Sequence, residues 1–118
     1  MSCMSVRYTV KDGRGDENQR LIEQVFADLS ANGPSGLRYS AFRLDDGVTF
    51  VHVVSHESEV VREQFRALPA FQAFLAGLKE RCAVAPVTTS LREVGTYDSL
   101  APHQIAAGDV GSVAATRA

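Results

Sequence analysis

The sequence predicts an α+β domain, a four-stranded antiparallel sheet carrying its helices on one face. Two apolar strands, Leu37 to Leu44 and Val48 to Val54, meet across Asp46-Gly47, a dipeptide suited to a tight hairpin turn. Around this hairpin the periodicity gives the order strand, helix, strand, strand, broken helix, strand. The hairpin carries hydrophobic residues on both faces, and helices on one side cover only one of them. A second covering surface is therefore expected.

Each element has its own local cause. Val6-Arg7-Tyr8-Thr9-Val10 alternates apolar and polar and stops at Lys11-Asp12-Gly13, a strand followed by a turn. Asp16 with Gln19 three residues on forms a capping-box pattern, after which Leu21, Ile22, Val25, Phe26 and Leu29 fall on one helical face. Gly33-Pro34 ends that helix. After the hairpin, Ser58 or Ser55 caps a second helix carrying Val60, Val61, Phe65 and Leu68, and Pro69 splits it. A further segment follows with Phe71, Phe74, Leu75 and Leu78 at helical spacing. Pro86 is expected to introduce the last strand, Val87 to Tyr97.

From Ser99 the residues turn to Ala, Gly, Ser and Thr, which bury too little apolar surface to offset the entropy of ordering them. The expected division is a folded domain over 1–98 and a flexible tail over 99–118, with an arm lying across a partner subunit as the alternative for the tail.

Composition excludes some functions. The 118 residues suit one domain with one core, and 45% hydrophobic with 22% charged residues is the balance of a soluble globule. A formal charge of -2 supplies no basic field for phosphate, so nucleic acid is not expected as a partner. Nowhere does an apolar run reach membrane-spanning length, and Met1 to Ser5 lacks the pattern of a signal peptide, so a cytoplasmic protein without membrane attachment is expected. Cys3 and Cys82 stand far apart, with no second cysteine beside either to form a redox or zinc motif.

The segments Tyr8-Thr9-Val10-Lys11-Asp12-Gly13, Gly36-Leu37-Arg38-Tyr39, Phe50-Val51 and Pro69-Ala70-Phe71-Gln72-Ala73-Phe74 resemble the antibiotic biosynthesis monooxygenase-like family of dimeric α+β barrels. The resemblance spans Met4 to Tyr97. It implies a ferredoxin-like sheet whose exposed face packs on its counterpart in a homodimer. It also implies oxygenation of a small aromatic or quinol-like compound without cofactor, in which the protein supplies orientation and proton handling. The chain departs from the family pattern at four positions. Val54 stands where a glutamate is common and His56 where a tryptophan is, while Phe65 and Ala70 stand where histidines are. The absence of tryptophan also argues against a haem-degrading relative.

Candidate chemistry collects on the hairpin. With Asp46-Gly47 as the loop, Tyr39 opposes Val54, Ala41 opposes His52 and Arg43 opposes Phe50, so Tyr39, Arg43 and His52 share a face. His52 and Tyr39 are the candidate proton-handling residues, with space over the imidazole beside small Ala41. The alternative for His52 is a structural histidine hydrogen-bonded in the dimer seam. Arg43, His56, Phe65, Phe71 and Phe74 are candidate ligand contacts, the three phenylalanines as an apolar wall that ordinary core packing would equally explain. His56 is expected at the surface where strand gives way to helix, and Arg62, Glu63 and Arg66 read as a solvated helix face. His52, His56 and Glu57 do not make a firm three-ligand metal set, and no metal is expected. Three functions fit: a cofactor-independent monooxygenase, a ligand-binding module without turnover, and a dimerisation domain.

Overall fold

A computed structural model describes residues 1–100, so most of the expected tail lies outside the described residues. The elements run β1 (Ser2–Val10), α1 (Gly15–Asn32), β2 (Leu37–Arg43), β3 (Thr49–His56), α2 (Glu59–Arg66), α3 (Pro69–Ala76), α4 (Leu78–Arg81) and β4 (Cys82–Leu91). The strands form one antiparallel sheet in the order β2-β3-β1-β4. This is the expected fold class, with α1 crossing between β1 and β2.

The hairpin has the expected register: Tyr39 faces Val54, Ala41 faces His52 and Arg43 faces Phe50. Its connection is longer than two residues. The Leu44 N–H bonds Thr49 O across the closing pair, and Asp46 folds back to accept from the amides of Val48 and Thr49 and from the Thr49 hydroxyl. Gly47 takes the left-handed conformation, φ +77°, that the turn requires.

Two expectations about ends are corrected. α1 begins at Gly15 with no side-chain cap, because Asp16 is drawn to Arg43 Nη1 at 3.0 Å. Gly15 itself lies against the carbonyl of Gly47, where a side chain has no room. The break at Pro69 is present, with Ser58 capping α2, while the N-terminus of α3 is held from another element: Asp28 of α1 accepts from the Ala70 amide at 3.1 Å. β4 starts at Cys82, ahead of Pro86, because pairing with β1 begins as soon as α4 ends. Pro86 sits at a register irregularity in this edge strand, one of the few places where a sheet tolerates a missing N–H.

Tyr8, Val10, Phe50 and Val54 of the sheet meet Ile22, Val25, Phe65, Leu68, Phe74 and Leu78 of the helices in one core. Among the described residues nothing covers the opposite sheet face, and Phe42 (55% exposed), Val87 (60%) and Leu91 (39%) lie on it, with Val51 and Val53 half-buried between them. Among the described residues no helix is long and apolar enough to cross a membrane.

Candidate ligand-binding site

Between the sheet and the α2–α3 layer lies a cavity of about 420 Å³, within the usual size of small-molecule sites. Its floor is Met4, Val6 and Tyr8 of β1, Tyr39 of β2 and His52, Val54 and His56 of β3. Its roof is Arg62, Phe65, Arg66, Phe71, Phe74, Leu75 and Leu78, and Pro86 and Thr88 close the β4 side. The aromatic lining is continuous. Phe65 lies 4.4 Å from Phe71 between ring centroids and 5.2 Å from Tyr39, and Phe71 lies 6.1 Å from Phe74.

The floor carries a chain of buried hydrogen bonds. Arg81 Nε donates to Asn18 Oδ1 at 3.1 Å, and Asn18 Nδ2 donates to the Tyr8 hydroxyl at 2.8 Å. Tyr8 meets His52 Nε2 at 2.8 Å, and His52 Nδ1 meets the Tyr39 hydroxyl at 2.6 Å. Donor and acceptor counting orients this chain. Tyr8 already accepts from Asn18, is almost fully buried, and has no other acceptor for its proton among the described residues, so it donates to Nε2. The imidazole proton then sits on Nδ1 and goes to Tyr39, whose own proton is left for the cavity. Each donor in the series strengthens the next.

The chain starts at a buried cation. Arg81 is 2% exposed, donates its second bond to the Phe74 carbonyl, lies 5.3 Å from the Phe74 ring, and has no carboxylate within ion-pair distance among the described residues. Guanidinium groups keep their charge at physiological pH. Its field therefore favours negative charge at the far, cavity end. Burial lowers the His52 pKa from 6.5 to about 4, so the ring is neutral at neutral pH. Burial raises the Tyr39 phenol, with the neighbouring Tyr8 adding to the effect, and Tyr8 is likewise raised chiefly by burial, so both hydroxyls stay protonated.

Tyr39, His52, His56, Phe65, Phe71 and Phe74 all line the cavity. Arg43 does not. It leaves the shared face at the hairpin end, bonding Asp16, Gln19 and the Gly47 carbonyl, and its role is to tie the hairpin to α1. His56 is buried on the cavity floor and not at the surface. His52 lies on the helix-covered face, away from the bare face where a dimer seam would form, and both its nitrogens are taken by tyrosines instead of opening onto space beside Ala41. Arg62 and Arg66 join the lining from a helix face expected to be solvated. Tyr8, Asn18 and Arg81 escaped the sequence reading. The one available signal was a polar Asn18 on the helix flank beside Ile22 and Val25.

No family model and no curated protein matches the chain. Solved structures do match its fold. An antibiotic biosynthesis monooxygenase superposes with a TM-score of 0.67 at 14% identity, covering 80% of this chain and 100% of that one. Rv0793 from Mycobacterium tuberculosis gives a TM-score of 0.66 at 16% identity, over 82% and 98% of the two chains. SnoaB from Streptomyces nogalater, a cofactor-independent oxygenase, gives 0.58 at 17% identity over 79% and 94%. The chain thus has the ferredoxin-like fold of the antibiotic biosynthesis monooxygenase-like proteins.

Proposed function

We propose that this cavity binds a small aromatic or quinol-like compound and that the protein oxygenates it without a cofactor. The observation that carries the reading is the polarised chain from Arg81 to Tyr39, which ends in a phenol proton available to an oxygen of the ligand. In such a reaction an electron-rich ring methylene ionises to an enolate and passes electrons to dioxygen. One oxygen atom becomes a ring carbonyl and the other leaves as water, so no reductant is needed. Tyr39 would hold the enolate oxygen, and the aromatic walls would keep the ring planar and dry.

Binding without turnover is the second reading, and a specific observation favours it. Both nitrogens of His52 are engaged and its pKa is low, so His52 is not free to take a proton from the ligand. Oxygen uptake with anthrone-like and quinol-like compounds, without added metal or flavin, separates the two. Uptake that falls in Tyr39→Phe supports the oxygenase. Saturable binding with no uptake across the panel supports the binding module.

The bare sheet face supports a homodimer as the working unit, since Phe42, Val87 and Leu91 extend an apolar surface that a second copy would cover. The expected cytoplasmic location belongs to the same proposal.

A further inference from the structure

The cavity has a second set of polar residues, and its charge is one-sided. Arg62 and Arg66, one turn apart on α2, both line it, and no aspartate or glutamate does, although the chain as a whole carries a formal charge of -2. Arg62 shares its guanidinium with Glu59 at 3.2 Å, while Arg66 makes no ion pair among the described residues. On the floor of the same cavity His56 is 6% exposed and has no side-chain hydrogen-bond partner among the described residues. A buried imidazole without a partner is a costly arrangement in a finished core and an ordinary one in a site awaiting a ligand. His52 and His56 project from the same face of β3 four residues apart, about 13 Å along the strand, so the two imidazoles are separated along the cavity floor.

We infer that the ligand is an aromatic acid, its carboxylate held by Arg62 and Arg66 beside His56 and its carbonyl or hydroxyl oxygen held by Tyr39. The planar guanidinium fork matches the two oxygens of a carboxylate. The inference rests on the cavity being an aromatic ligand site and adds the charge of what it takes. Arg62 and Arg66 select the anion, Tyr39 selects the oxygen acceptor, and together they fix which end of a planar ring system enters first.

The test compares three probes on the full chain by calorimetry: fluorenone, a fluorenone carboxylate with the acid on an outer ring, and the methyl ester of that acid. The carboxylate should bind about tenfold more tightly than its ester, the gain of a charge-assisted contact. That advantage should shrink as sodium chloride rises from about 0.05 M to about 0.5 M. Arg66→Gln and Arg62→Gln should each remove most of the advantage, lowering affinity for the acid far more than for the ester, with melting temperatures close to that of the parent because both side chains are partly solvated. Equal affinity for acid and ester in the parent protein overturns the acid site while the aromatic site stands. An acid preference untouched by both substitutions overturns the assignment to α2. Binding of none of the three probes overturns the aromatic site and the acid site together.

Discussion

The Tyr39 hydroxyl lies 2.6 Å from Nδ1 of His52, in line with a second tyrosine, Tyr8, 2.8 Å from the opposite ring nitrogen. A neutral imidazole clamped between two phenols has one tautomer that satisfies every buried proton, with hydrogen on Nδ1. Long-range proton–nitrogen correlation spectra should show His52 in that form at neutral pH. A proton on Nε2 would reverse the chain and remove Tyr39 as donor to the cavity.

Tyr39→Phe should weaken binding of fluorenone by about tenfold or more, since the lost bond is one to a desolvated acceptor. The same change leaves the His52 Nδ1 proton without a partner and should cost about 1 to 3 kcal/mol of stability. Both effects are read from one purified variant by calorimetry and thermal melting. Unchanged ligand affinity would show that Tyr39 is structural.

Asn18→Leu should act on stability first. Asn18 is fully buried and bridges Arg81 to Tyr8, so its loss strands a guanidinium donor and a phenol in the core. The expected cost is about 2 to 4 kcal/mol, the range for breaking a buried polar network next to a charge. Chemical denaturation measures it, and a loss below about 0.5 kcal/mol, ordinary for a neutral surface site, would mean the network contributes little.

Acid should destabilise the fold through His52 before the carboxylates respond. The folded pKa of about 4 lies below the ordinary 6.5, so between those values the unfolded chain binds a proton that the folded chain refuses. Stability is full above pH 6.5 and falls as pH drops toward 4, by about 3 kcal/mol over the whole interval. Asp28, Asp46, Glu17 and Glu80 are all shifted down by hydrogen bonds, so their contributions are lost only below the ordinary carboxylate range. A His52→Gln variant should flatten the interval from pH 6.5 to 4.5, as followed by melting temperature. An unaltered slope would place the proton uptake elsewhere.

Light scattering should give about twice the chain mass of 12.7 kDa. Phe42→Lys places a charge on the bare sheet face, on edge strand β2, and should yield monomer with the fold retained by circular dichroism. A parent protein that is monomeric at micromolar concentration would remove the dimer from the proposal.

The hairpin register, the single helical face of α1 and the split at Pro69 were all legible in the sequence. They depend on turn chemistry, on a period of two or of 3.6, and on a missing N–H, each a property of residues close together in the chain. Tyr39 and His52 could be placed on one face for the same reason. Tertiary packing decided what that face meets. Asn18 reaches Tyr8 because α1 lies across β1, and Arg81, sixty-three residues further on, reaches Asn18 because α4 ends where β4 pairs with β1. Arg43 shares the face of His52 but lies beyond the cavity, where Asp16 and the Gly47 carbonyl compete for it. Such partnerships join residues with no local relation in sequence, and only the docking of helices onto the sheet brings a buried cation, a neutral imidazole and a free phenol proton into one line.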